Sequence, residues 1–227
     1  MKPHSTLPEG VRPSPWDSEV FGIDCYEIDP TPAALAFAGS SPGHFTVKVD
    51  PLADKGPLHR AGFYYADSLI EPACTRPRLH ERHHPDCSIR RIEDVELLTP
   101  ICRKAFAHGR FHRDFNLDTD LADRRYIRWL HQLSFEGVVY GLFFRTSLAG
   151  FVACRQNHLM LHAMAGEFRG QGLAGYFWTR VCESLFDEGF EEVRSSISAV
   201  NLAALNLYAS LGFRFSRAVD VYHRLND

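Results

Sequence analysis

Apolar positions along this chain change period several times, and each change marks an element. The clearest stretch is the last third. Leu173, Phe177, Val181 and Leu185 recur every fourth residue, with Ala174, Trp178 and Cys182 beside them. That stripe predicts an amphipathic helix, with Gly189 as its stop. Residues 158–165, 193–198 and 213–223 read as strands, and 202–211 as a helix closed by Gly212. Upstream, 138–145 and 148–155 are strand-like runs joined at Thr146-Ser147 in a hairpin. Residues 120–133 predict a helix. Another is expected from Val95, Leu98, Cys102, Ala105 and Phe106, which share a face that Asp94 can cap. Pro100 should kink that helix, or Thr99-Pro100 should restart it. With a strand at 87–91, the order is strand, two helices, three strands, helix, strand, helix, strand.

The first third has a different texture. Short extended pieces are separated by Pro and Gly, with a strand at 45–49 and a helix end and strand within 58–65. Pro72, Pro77 and Pro85 then lie among Arg, His and Glu, a composition that predicts a linker. The expected organisation is an N-terminal α/β domain over 1–85, with the Pro-rich linker at its end, and a larger domain over 86–227.

Composition narrows the function classes. At 45% hydrophobic and 23% charged, the 227 residues can bury an ordinary core. A net charge of -3, without a Lys/Arg run, argues against a nucleic-acid partner. The longest apolar run, 138–144, is broken by Gly141 and is too short to span a bilayer. Met1-Lys2-Pro3-His4-Ser5 lacks the apolar stretch of a secretory leader. Six scattered cysteines form no CxxC pair, so a reducing, cytoplasmic setting is expected.

Two short segments carry candidate chemistry. Glu167-Phe168-Arg169-Gly170-Gln171-Gly172-Leu173-Ala174 opens the strongest helix. Glycines there allow unusual dihedrals and close approach of a ligand, and the first-turn amides of a helix attract an anion. A strand leading into such a turn can cradle a pyrophosphate, with Arg169 adding a charged contact. The glycines could also simply shape a tight turn. No GK[ST] follows, so this is not a Walker loop. The second segment places Asn201, Ala204 and Tyr208 near one helical face, ahead of Gly212-Phe213.

Together these segments resemble the GCN5-related N-acetyltransferase (GNAT) superfamily. Arg169 to Ala174 matches its R/Q-x-x-G-x-G/A loop, and Asn201 to Phe213 its N-x-x-A-x-x-x-Y-x-x-x-G-F segment. The likeness covers about residues 87–223. It implies a GNAT fold: a mixed, mostly antiparallel sheet flanked by helices. Pro15-Trp16-Asp17-Ser18-Glu19-Val20-Phe21-Gly22 and Ala105 to Phe111 are similar, more patchily, to bacterial TDP-fucosamine acetyltransferases, which act on nucleotide-linked amino sugars.

The resemblance implies acetyl-CoA as cosubstrate and a small-molecule primary amine as acceptor. Amides of Gly170, Gln171, Gly172, Leu173 and Ala174 would hold the pyrophosphate. Ala163 and Met164, at the end of a splayed strand, would hold pantetheine by their backbone, and Asn201 would contact it. Tyr208 would protonate the departing thiolate. His158 and His162 are candidates for the base on that strand, where the family often carries a carboxylate. Arg110, His112 and Arg113 border the family's acceptor region and suit a sugar-nucleotide diphosphate, though a solvated loop is the plainer reading. The resemblance also implies a homodimer. His80, His83, His84 and Cys87 resemble metal-ligand spacing but have no second ligand pair, so no metal is expected. Two rivals remain: a GNAT enzyme for an antibiotic, polyamine, amino acid or protein amine, and a non-catalytic acyl-CoA-binding module, which would need no phenol at 208.

Overall fold

The computed structural model describes residues 7–103 and 105–226. Residues 1–5, read above for a secretory leader, lie outside them. The chain forms two compact units. One gathers Met1–Leu69, Gly109–Ala122 and Ala218–Asp227, the other Ile70–His108 and Asp123–Arg217.

In the first unit β1 (Val11–Pro13), α1 (Pro15–Phe21), β2 (Cys25–Ile28), α2 (Pro32–Ser40), β3 (Gly43–Val49) and α3 (Gly56–Arg60) precede β4 (Tyr64–Thr75). Thr31 starts α2 by accepting the Ala34 amide, with Pro32 at the first helical position, and Gly22 ends α1 in the left-handed region. β2 pairs parallel with β3, which pairs antiparallel with the end of the last strand. Phe45, Val47, Val49 and Tyr222 join Ile28, Leu35 and Leu58 in the apolar core on one face.

In the second unit β5 (Cys87–Arg91), α4 (Thr99–Cys102) and α5 (Thr119–Glu136) lead into β6 (Val138–Phe144), β7 (Ser147–Arg155) and β8 (His158–Met164). Then come α6 (Ala174–Asp187), β9 (Glu192–Ser195), β10 (Ile197–Ser198), α7 (Leu202–Ser210) and β11 (Arg214–Asn226). The strands run in the order β4-β9-β8-β7-β6-β5. All adjacent pairs are antiparallel except β8 with β9. This is the mixed, mostly antiparallel α/β sheet expected from the sequence, with the elements in the expected order. Phe177, Trp178, Val181, Cys182 and Leu185 of α6 pack with Tyr208, Leu211 and Phe213 against one face of the sheet.

Two expectations need correction. Residues 71–75 are not a linker: β4 runs on through Pro72 and pairs Ala73, Cys74 and Thr75 with β9. Proline removes one donor, and the ladder to β9 takes up just after it. The units accordingly do not divide at 85/86, because β4 and β11 each run from one into the other. The helix over 94–106 is also shorter. Asp94 caps only a 3-10 turn, Val95–Leu98, and Pro100 restarts the chain as α4, which stops at Cys102. Ala105 and Phe106 still pack against the cluster of Val95, Leu98 and Cys102, so the apolar period continued where the helix did not.

Among the described residues all six cysteines are buried. None of the described helices is long and apolar enough to cross a membrane.

Candidate active site

The site elements converge at the end of β8. Its ladder with β9 has only two steps, His158↔Arg194 and Leu159↔Ser195, whereas its ladder with β7 continues to Met164. Beyond Leu159, β8 is paired on its β7 side alone. A register shift against β7 between Ala153 and Cys154 leaves Met160 as the extra residue of a bulge. The bulge resets the alternation: Leu159 joins the apolar cluster of α6, whereas Leu161 and Ala163 join that of Leu130 and Leu133 in α5, and His162 is left partly buried against Trp178.

From Met164 the chain passes through a 3-10 turn, Gly166–Phe168, into the glycine turn. Gly170 and Gly172 both sit at φ +73, in the region that glycine enters without strain, and nothing lies within 4 Å of a side chain imagined on either. Their role is therefore conformational. Arg169 Nε donates to the Met164 carbonyl at 2.8 Å, which ties the turn to the end of β8. α6 starts without a side-chain cap. Its first backward bonds come from Tyr176 and Phe177 to the Leu173 carbonyl, leaving the amides of Leu173, Ala174 and Gly175 ahead of them. These donors stand at the positive end of a 14-residue helix, where an anion is stabilised.

The third part comes from α7. Asn201 caps it, its side-chain oxygen accepting the Ala204 amide at 3.1 Å, which leaves the side-chain amide nitrogen outside the cap. Two turns on, Tyr208 is fully buried, its ring edge against Phe213. Its hydroxyl lies 3.0 Å from His162 Nε2, and the imidazole meets Trp178 edge-on. The structure thus brings together Tyr208 and His162. His158 is exposed and lies four residues earlier on the strand, roughly 13 Å away at strand rise.

Burial pushes the Tyr208 phenol above its ordinary range, and nearby Ser195 and Trp178 offset only part of that. Burial also pushes His162 down, to about 4. His162 is neutral at pH 7, so its hydrogen bond with Tyr208 joins two uncharged groups. The unfolded ring binds its proton near 6.5, the folded one near 4, so the unfolded state holds more protons between these values. Stability should fall as pH drops from about 6.5 to about 4. The contribution is at most about 3 kcal/mol, less for the ring's partial exposure. Thermal melts of wild type and His162→Gln across this range check it, since the wild type should lose more stability than the variant. Parallel curves would mean that His162 does not titrate in this window.

The profile of the Acetyltransferase (GNAT) family matches residues 96–213, just over half of the chain. The chain belongs to the GNAT family. Solved structures with the same fold include a GCN5-related N-acetyltransferase from Sphaerobacter thermophilus, with a TM-score of 0.58 at 13% identity. It covers 82% of this chain, which in turn spans only 60% of that protein. A GCN5-related N-acetyltransferase from Kribbella flavida gives 0.58 at 14%, covering 90% of this chain and 82% of its own. A conserved protein of unknown function from Staphylococcus epidermidis gives 0.64 at 12%, covering 93% and 89%. No curated protein matches the chain.

In this GNAT protein the expected acceptor residues Arg110, His112 and Arg113 belong to the first unit, on the segment 109–122. Arg113 Nη1 donates to Asp67 Oδ1 at 3.0 Å, and that carboxylate is 1% exposed, so the guanidinium is anchored. Arg110 stacks over Phe111 at 4.7 Å. Sequence reading missed Ser195 and Trp178 beside the phenol, since neither falls in the two short segments that carry the family pattern.

Proposed function

We propose that this GNAT protein transfers an acetyl group from acetyl-CoA to a primary amine by direct attack, with Tyr208 as the acid. What carries the reading is the buried Tyr208 hydroxyl, held by His162 on the strand whose second ladder ends at Leu159. The glycine turn and the uncapped head of α6 fit a pyrophosphate, and the unpaired side of β8 fits an extended amide chain. Residues Ala163, Met164, Arg169, Gly170, Gln171, Gly172, Leu173, Ala174 and Asn201 would hold the cosubstrate.

In this reaction the amine nitrogen bonds to the thioester carbonyl carbon and the carbon–sulfur bond breaks. Tyr208 gives its proton to the departing sulfur, and backbone N–H groups stabilise the oxyanion. His162 holds the phenol in line. Its lowered basicity, and the commitment of Nε2 to Tyr208, favour this positioning role over taking the ammonium proton, which leaves through water. His158 is set too far along the strand to share the work.

The acceptor we propose is a nucleotide-linked amino sugar, a reading supported by the sequence likeness near Trp16 and Phe111. Thiol release should be measured with TDP- and UDP-linked amino sugars, aminoglycosides and polyamines. Saturable turnover on an amino-sugar nucleotide is expected. Saturable turnover only on non-sugar amines would overturn the acceptor and keep the chemistry, whereas an absence of acetyl-CoA binding would overturn both.

A further inference from the structure

The ladder of β3 with β11 has two unlike faces. Phe45, Val47 and Tyr222 face the apolar core, so the alternating positions His44, Thr46 and His223 share the other face. His223 pairs with Thr46 and Leu225 with His44, which makes the two histidines diagonal neighbours. Asp114, from the segment 109–122 of the same unit, reaches both. Its Oδ2 lies 2.8 Å from His223 Nδ1 and 3.3 Å from His44 Nε2. Tyr64 Oη, from β4, lies 2.9 Å from the same oxygen and 3.0 Å from Oδ1. The other oxygen, Oδ1, accepts the backbone and side-chain N–H groups of Asn116 at 3.0 and 3.2 Å. His44, Asp114 and His223 are at most 3% exposed.

Five donors, from His44, His223, Tyr64 and the two N–H groups of Asn116, converge on one carboxylate, which has about four lone-pair sites to offer. Hydrogen bonding alone oversubscribes it. A cation at the centre does not, because both imidazoles can then present lone pairs. One atom from each of His44, Asp114 and His223 lies within 4.8 Å of the others. Tetrahedral zinc, with bonds of about 2.0–2.1 Å, sets its ligand atoms roughly 3.4 Å apart; the contact to His44 already has that spacing, and the contacts to His223 and Tyr64 would open by about half an ångström around the ion. The Asn116 contacts orient the carboxylate from behind, as outer partners do in metal sites. The remaining nitrogen of His223, Nε2, has no partner among the described residues, so Nδ1 makes the ring's polar contacts.

The geometry points to a structural zinc-type divalent metal site in the first unit, ligated by His44 Nε2, His223 Nδ1 and Asp114 Oδ2, with the Tyr64 hydroxyl at the fourth position. Burial leaves no place for a substrate, and the donor set of two imidazoles and a carboxylate suits zinc. The ion would fasten the segment 109–122 to β3, β4 and β11.

The test uses the untagged full chain, stripped with a chelator and then dialysed against zinc or cobalt. Wild type should retain one zinc per chain and, with cobalt, show the visible bands of a four-coordinate site. His44→Gln and Asp114→Asn should abolish both. Asn116→Ala, which keeps all ligands, should weaken uptake about 10- to 100-fold. His83→Ala, in the exposed group of Glu81, His83 and Glu183, should change nothing. The wild-type cobalt spectrum needs no variant to fold, and a spectrum identical to that of the free aqueous ion would overturn the site. Uptake that is unchanged in folded His44→Gln, or lost in His83→Ala, would also overturn it.

Discussion

Tyr208→Phe is expected to lower turnover by roughly one to three powers of ten while leaving acetyl-CoA affinity nearly unchanged. The change removes one oxygen from a fully buried side chain, so the ring's packing against Phe213 survives. What disappears is the proton that the sulfur needs as it leaves, and that need arises only in the transition state. The loss should therefore fall on kcat and spare binding. The variant also strips His162 Nε2 of its partner, at a cost of about 1–3 kcal/mol of stability, so a melt must show that the protein is folded at the assay temperature. Isothermal titration with acetyl-CoA and steady-state kinetics together check the result. Turnover equal to wild type would remove Tyr208 from the reaction.

The second large effect is expected at the glycine turn. Gly172→Val places a β-branched residue at φ +73, a conformation that costs such a side chain about 1–3 kcal/mol or forces the turn to relax. No atom lies within 4 Å of the new Cβ, so the strain there comes from the backbone. Relaxation moves the first amides of α6, and acetyl-CoA affinity should fall about 10- to 100-fold, with the larger effect on KM. Gly166→Ala is the control: it too meets nothing within 4 Å, but its φ is not positive. If Gly172→Val binds acetyl-CoA as wild type does, the amides at the head of α6 do not grip the cosubstrate.

Much of the fold was visible in the sequence where the signal was local. The fourfold spacing of Leu173, Phe177, Val181 and Leu185 and the stop at Gly189 lie within one helix and its end, and the structure keeps α6 there. The glycine turn and the Asn201–Tyr208 spacing were likewise contiguous. Four things were not visible. The contact of Tyr208 with His162 spans 46 residues and depends on a bulge at Met160, which periodicity cannot place. The helix drawn through Ala105 and Phe106 failed because those residues bury apolar surface from a turn as well as from a helix. Pro72 and its neighbours looked like a linker because proline composition does not reveal a strand that starts eight residues earlier. The group of His44, Tyr64, Asp114 and His223 had no local pattern at all, since each residue comes from a different element.

The threading of β4 and β11 has a consequence for how such a protein diversifies. A boundary in space is here no boundary in the gene: the first unit is assembled from three stretches, the last two of them short. Exchanging it between homologous chains would mean grafting all three at once, with 109–122 and 218–227 travelling alongside the N-terminal portion. A clean cut at residue 86 would also strip β9 of Ala73, Cys74 and Thr75, turning an interior strand into a bare edge.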